Sequence, residues 1–184
     1  VFGEVRLVDM SRALVVIDVQ ESFRARPEWD QIGNTKIFEP VNRLVRAARS
    51  NGDLVVWVLH AERGSGGVFD PENGFVRLMP ELDHPEPGDL RIEKSSHNAF
   101  TTTNLQQKLT EAGVGELVVC GIRTEQCVET TARLASDLGY QVVFVTDATT
   151  TEGVGGFSPE EIVARTEAVL RDRFARIATV SELV

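Results

Sequence analysis

Short apolar runs rich in β-branched residues recur along the chain, at residues 13–19 (ALVVIDV), 54–59 (LVVWVL), 117–122 (LVVCGI) and 142–146 (VVFVT), with weaker ones at 177–180 (IATV) and 90–93 (LRIE). They lack the strict polar alternation of a half-exposed strand, and runs of this kind form strands covered on both faces, as in a parallel sheet. Between them the apolar positions change to helical spacing. Residues 40–50 place Val41, Leu44, Val45 and Ala48 on one face, and similar patterns cover 102–112, 127–138 and 159–173. The last opens with Ser158-Pro159-Glu160-Glu161, which predicts Ser158 as N-cap with Glu161 completing a capping box. Parallel strands need crossover connections, so this alternation predicts an α/β fold: a three-layer α/β/α, doubly wound domain with a mostly parallel sheet.

Two stretches interrupt the rhythm. Residues 60–89 are rich in Gly, Pro, Asp and Glu yet contain Val68, Phe69, Phe75, Leu78 and Met79. A loop of that length is expected either to cover a site as a lid or to serve an interface. Thr149 to Phe157, with Gly153, Gly155 and Gly156, reads as a second flexible cover and lacks the spacing of a phosphate-binding loop.

Composition narrows the function classes. The 184 residues fit a single domain over 1–184, with 42% hydrophobic and 26% charged residues, as in ordinary globular chains. No apolar run approaches the ~18 residues of a membrane span, and the opening VFGEVRLVDM lacks a signal-peptide pattern, so a soluble, cytoplasmic protein is expected. With 19 basic against 28 acidic residues, the net charge of −9 opposes nucleic acid or an anionic membrane as partner. Two cysteines give no disulfide framework, and Cys120 and Cys127 do not match CxxC spacing. The three histidines, His60, His84 and His97, are too scattered for a His-rich metal site.

In open α/β sheets ligands sit beyond the carboxyl ends of the strands. Asp18 lies there, inside an apolar run where an unpaired carboxylate is costly, although a turn or cap role explains it equally well. Cys127 follows the run LVVCGI and opens a helix, whose N-terminal dipole is expected to favour a thiolate; the alternative is a buried helix-start residue. Cys120, within the strand, reads as core. Lys94 closes another strand and would keep a neighbouring Asp and Cys ionised, unless it is an ordinary surface lysine.

Three motifs carry a family resemblance: Val16-Ile17-Asp18-Val19-Gln20-Glu21-Ser22-Phe23; Glu93-Lys94 with Asn98-Ala99-Phe100 and Thr103-Asn104-Leu105; and Gly121-Ile122-Arg123-Thr124-Glu125-Gln126-Cys127-Val128 with Thr131-Ala132. Their order over about residues 13–148 resembles the isochorismatase-like cysteine hydrolases, which include nicotinamidases and N-carbamoylsarcosine, ureidoacrylate and biuret hydrolases. The resemblance implies a six-stranded sheet and a catalytic triad of Asp18, Lys94 and Cys127. It also implies a cis peptide between Ile122 and Arg123 and an oxyanion hole from the backbone N–H groups of Arg123 and Cys127. The implied reaction is hydrolysis of a C–N bond in a small amide, ureido or carbamoyl compound through an acyl thioester, without a cofactor. Vinyl-ether hydrolysis and a catalytically silent binding or scaffold role are the alternatives. A homo-oligomer, dimer or larger, is the implied assembly.

Nicotinamidases of this family hold a metal through an Asp-x-His pair after the second strand. Here that segment reads Leu59-His60-Ala61-Glu62-Arg63, where His60 and Glu62 each offer a ligand but no second histidine follows until His84; a hydrogen-bonded pocket histidine is favoured, and no metal is expected. Gln20, Phe23, Trp29, His60, Phe69, Phe100 and Arg123 are candidate substrate-binding residues, with core packing the ordinary role for the aromatic ones. Arg24, Arg26 and Arg63 lie in loops where a guanidinium would bind a substrate carboxylate.

Overall fold

The computed structural model describes residues 11–184; the reading of the first ten residues lies outside them. Six strands form one wholly parallel sheet: β1 (Ser11–Ile17), β2 (Leu54–His60), β3 (Leu90–Lys94), β4 (Val114–Ile122), β5 (Gln141–Thr150) and β6 (Arg176–Ala178). Their spatial order is β3-β2-β1-β4-β5-β6, so the winding reverses between β1 and β4. A crevice beyond the strand ends is expected at such a reversal.

The unbroken apolar runs follow from burial on both faces. Along β1, Leu14 and Val16 enter one core and Ala13, Val15 and Ile17 the other. The first core is covered by α2 (Phe38–Asn51), through Val41, Leu44, Val45 and Ala48. The second is covered by α3 (Leu105–Glu111), α4 (Glu129–Asp137) and α5 (Pro159–Leu170). A single turn, α1 (Glu21–Arg24), follows β1. The three-layer, doubly wound expectation therefore holds.

Element ends differ from the pattern where side chains compete for the backbone. The segment 102–112 becomes helical only at Leu105, because the Thr103 hydroxyl accepts the Leu105 N–H at 3.1 Å and donates to Ala99 O at 2.6 Å. The helix expected over 127–138 begins earlier, as a π-helical turn over Thr124–Val128 that runs into α4. Strand β5 continues to Thr150 through polar residues that apolar patterning misses, pairing Thr149 and Thr150 with Gly121 and Ile122 after a register shift. At the far end, 159–173 stops at Leu170, and 177–180 splits into β6 and a 3-10 turn at Val180–Glu182. The Ser158–Glu161 capping box is present, with reciprocal bonds of 2.8 and 3.2 Å.

Residues 60–89 lie down on the molecule. Met79 and Leu82 are buried in the first core and Phe69 packs against it. Backbone bonds from Met79 N to Val19 O and from Glu21 N to Arg77 O tie the stretch to the segment after β1. Close approach of strands fixes Gly121, with φ at 128°: a Cβ there lies 1.9 Å from the carbonyl oxygen of Ile17.

Candidate active site

Side chains from the ends of β1, β3 and β4 meet at the winding reversal. Asp18 follows β1 in the left-handed region, φ 54°, and its N–H donates to Val58 O at 2.9 Å. A non-glycine residue held there stores local strain of the order of 1–3 kcal/mol, the kind that clusters at functional sites. Lys94 ends β3 opposite His60 in the parallel register. Its side chain is fully buried and reaches across the end of β2 to donate to Asp18 Oδ2 at 2.8 Å, and it lies 3.5 Å from Cys127 Sγ. The third neighbour of Nζ is His60 Nδ1, at 3.3 Å.

Cys127 projects from the π-helical turn after β4 and is 7% exposed. Thr131, one turn on, donates to Cys127 O at 2.6 Å and accepts the Ala99 N–H at 3.2 Å, tying the cysteine turn to the segment after β3. The peptide between Ile122 and Arg123 is cis. The N–H of Arg123 has no hydrogen-bond acceptor among the described residues, while its carbonyl accepts from Gln126 and Val128.

Burial decides the proton inventory. It pushes the Cys127 thiol up to about 12, reinforced by the Asp18 charge and opposed by Lys94. Desolvation in the enclosed site thus works against the thiolate that the helix start and the ammonium are expected to favour. Burial also raises Asp18 above the usual carboxylate range despite Lys94, which makes it a stronger base than an exposed aspartate. Asp18 Oδ1 is buried with no hydrogen-bond partner, and the thiol stands close enough for the two groups to perturb each other. Cys120, buried in β4 with its thiol also pushed up, stays with the core as expected.

The candidate binding residues separate. His60, Phe69 and Phe23 meet edge-to-face in succession beside the buried cluster, with ring centroids 5.5 and 5.1 Å apart. Both ends of the Gln20 amide are occupied, Oε1 by His60 N at 2.8 Å and Nε2 by His60 O at 3.0 Å and Ser22 Oγ at 2.8 Å. It clamps the end of β1 to the end of β2. Phe100 stacks on Tyr140, centroids 6.1 Å apart, just before β5 and so at the opposite rim, which makes it core. Trp29 is half-buried against the first core beneath the Arg24 guanidinium.

Arg123 turns its side chain to Glu152, which also takes Arg26 at 3.3 Å. Arg24 pairs with Glu21 and Glu81, and Arg63 with Glu93. None of these four loop guanidinium groups stands unpaired to receive a substrate carboxylate. A cleft of about 550 Å³, lined by Ala61, Glu62, Arg63, Ser95 and Thr102, reaches Lys94 from the β2–β3 side.

A metal does not fit beside the cluster. The His60 Nε2 edge meets Glu62 Oε1 at 3.2 Å and its Nδ1 faces the Lys94 ammonium. No group of three or more His, Cys, Asp or Glu side chains converges to hold an ion among the described residues.

Sequence reasoning passed over Glu129. Its buried carboxylate takes bonds from Arg133 at 2.9 and 2.7 Å, Arg165 at 2.9 and 2.7 Å and Thr166 at 3.1 Å, locking α4 to α5 just behind Cys127. The i,i+4 spacing of Glu129 and Arg133 was its visible signal. Glu152, in the glycine-rich stretch, gave none.

Comparison with known proteins agrees with this fold. A family model described as Isochorismatase domain matches residues 12–182. The chain is 48% identical over 158 residues to nicotinamidase 3 of Arabidopsis thaliana, covering 76% of this chain and 73% of that one. It is 36% identical over 141 residues to a streptothricin hydrolase of Streptomyces noursei, covering 74% of this chain and 49% of that one. Among solved structures, an isochorismatase from Pseudomonas putida KT2440 superposes with a TM-score of 0.85 at 32% identity, covering 95% of this chain and 91% of that one.

Proposed function

Since the chain belongs to the isochorismatase family of hydrolases, we propose that it hydrolyses the C–N bond of a small amide, ureido or carbamoyl compound, with Asp18, Lys94 and Cys127 as its catalytic triad. One observation carries the reading: a buried thiol whose pKa burial raises and a buried carboxylate with a vacant acceptor, Asp18 Oδ1, lie under one shared lysine. That is an acid and a base awaiting a proton transfer.

In the first half-reaction the thiol proton passes to Asp18 as sulfur bonds the substrate carbonyl carbon, and the carbonyl electron pair moves to oxygen. The free N–H of Arg123, together with that of Cys127, receives this oxyanion. On collapse the C–N bond breaks and the departing nitrogen takes the proton from Asp18. In the second half-reaction water loses a proton to Asp18 as it attacks the thioester. Thiolate then leaves and recovers that proton, so acid and amine are the only products. Lys94, 2.8 Å from Asp18 and 3.5 Å from Cys127, stabilises whichever of the two is negative.

The paired arginines favour an acyl group without a carboxylate, since an anionic substrate would have to displace Glu152 or Glu93 from its guanidinium. Neutral or cationic amides are the substrate class. The test is ammonia or amine release from a panel of small amides, ureas and carbamoyl compounds, with Cys127→Ala beside the native protein. Turnover is expected to fall by roughly 10⁴-fold or more in the variant, and a covalent acyl adduct on Cys127 is expected in the intact mass of the quenched native enzyme. Hydrolysis surviving Cys127→Ala overturns the proposal.

A further inference from the structure

The Lys94 ammonium has three N–H donors, and its side chain is fully buried. Two face Asp18 Oδ2 and Cys127 Sγ, the groups whose charges it must balance. The third faces His60 Nδ1 at 3.3 Å. An ammonium only donates, so Nδ1 must present its lone pair, and the ring proton belongs on Nε2. There it meets Glu62 Oε1 at 3.2 Å, a carboxylate that only accepts. The two contacts select the same tautomer from opposite edges of the ring.

The rest of the ring's surroundings fix its place. Gln20 grips the His60 N–H and carbonyl with the two ends of its amide. The Phe69 ring stands edge-on at 5.5 Å and is backed by Phe23. The His60 side chain is 13% exposed whereas that of Glu62 is 51% exposed, so the pair runs from the buried cluster to the surface.

We infer that His60, kept in its Nε2–H tautomer by Glu62, is a positioning residue that supplies the third acceptor of the Lys94 ammonium and so holds that charge between Asp18 and Cys127. The inference rests on the proposed hydrolase reading for its kinetic arm alone. With an apolar residue at 60, one N–H of Lys94 is left buried without a partner, and the ammonium gains by rotating away from sulfur. Asparagine at 60 offers an amide oxygen near the place of Nδ1 and restores the acceptor.

The experiment combines two readouts that need no substrate with one that does. Long-range ¹H–¹⁵N spectra of a chain with only three histidines resolve His60 directly. The expected signature at neutral pH is a lone pair on Nδ1 and a proton on Nε2 in the native protein, relaxing to a tautomer mixture in Glu62→Gln. Alkylation of Cys127 by iodoacetamide is expected to slow about tenfold in His60→Leu and to stay within about threefold of native in His60→Asn, because a displaced ammonium no longer favours the thiolate. On any amide the native enzyme cleaves, kcat is expected to follow the same order with KM unchanged.

A protonated Nδ1 in the native spectrum overturns the inference. So does His60→Asn behaving like His60→Leu, or a folded His60→Leu that matches native alkylation. If the tautomer and alkylation results hold and no amide is cleaved, the hydrolase reading fails and the positioning role stands.

Discussion

Asp18 and Glu129 are both buried carboxylates close to Cys127, and they are finished differently. Glu129 is saturated: two arginines and a threonine supply its hydrogen bonds, and its backbone is ordinary helix. Asp18 takes a hydrogen bond from Lys94 on Oδ2, leaves Oδ1 without a partner and sits at φ 54°. A carboxylate whose task is to hold two helices together gains from every donor it can collect. One whose task is to take a proton must keep an acceptor open, and burial has to raise its affinity for that proton, as it does at Asp18. Incomplete satisfaction therefore marks the reactive member of the pair.

The largest effect that can break this contrast is a pair of isosteric changes. Asp18→Asn is expected to lower turnover by about 10²–10⁴-fold, the range for loss of a general acid–base group, with the unfolding midpoint little changed. Glu129→Gln is expected to do the reverse: turnover within a few-fold of native, and stability lower by roughly 1–3 kcal/mol as charge-assisted bonds weaken between α4 and α5. Steady-state rates beside urea unfolding of both variants decide it. If each change costs activity and stability alike, the two carboxylates do not have separate tasks.

A smaller effect sharpens the electrostatic side. The Cys127 thiol is pushed up to about 12 by burial first and by Asp18 second. Below such a value the thiolate fraction grows about tenfold with each pH unit. Alkylation of native Cys127 is then expected to rise steadily from about pH 7 to about pH 9 without a plateau, as thiolate chemistry requires. Asp18→Asn removes a charge that opposes the thiolate, so alkylation is expected to quicken at every pH even as hydrolysis is lost. Glu129→Gln is expected to leave the profile where it is. A plateau near neutrality in the native protein contradicts the protonated resting thiol.

Much of this was legible in the chain and some was not, for physical reasons. The sheet showed because Ala13–Ile17 and Leu117–Ile122 are buried on both faces, so each run is apolar throughout. Asp18 stood out because it follows such a run without a break, and Lys94 and Cys127 because strand ends converge where the winding reverses. The burial that pushes the Cys127 thiol up was not legible, because a helix start and a lysine are local features while desolvation is a property of everything packed around them. The partners of Phe100 and Gln20, Tyr140 and the His60 backbone, come from other elements and carry no local signal. Glu152 was missed because its meaning lies in Arg26 and Arg123, more than twenty residues away along the chain.

That last cluster yields the smallest and most selective prediction. Glu152 holds Arg26 and Arg123, whose side chains are 23% and 13% exposed, at the rim beside the open N–H of Arg123. Glu152→Gln keeps the shape and removes the charge, at a stability cost of about 1 kcal/mol or less, as for pairs that water still reaches. For a neutral amide, turnover is expected to stay within about twofold, because the triad is untouched. For an analogue carrying a carboxylate on the acyl side, kcat/KM is expected to rise by roughly 3–10-fold, through a lower KM, as the two guanidinium groups become free to bind it. Equal responses to the two substrates place the arginines outside the acyl pocket; the selective gain makes Glu152 the residue by which this site discriminates against anions, in contrast to Glu129, whose arginines serve only the fold.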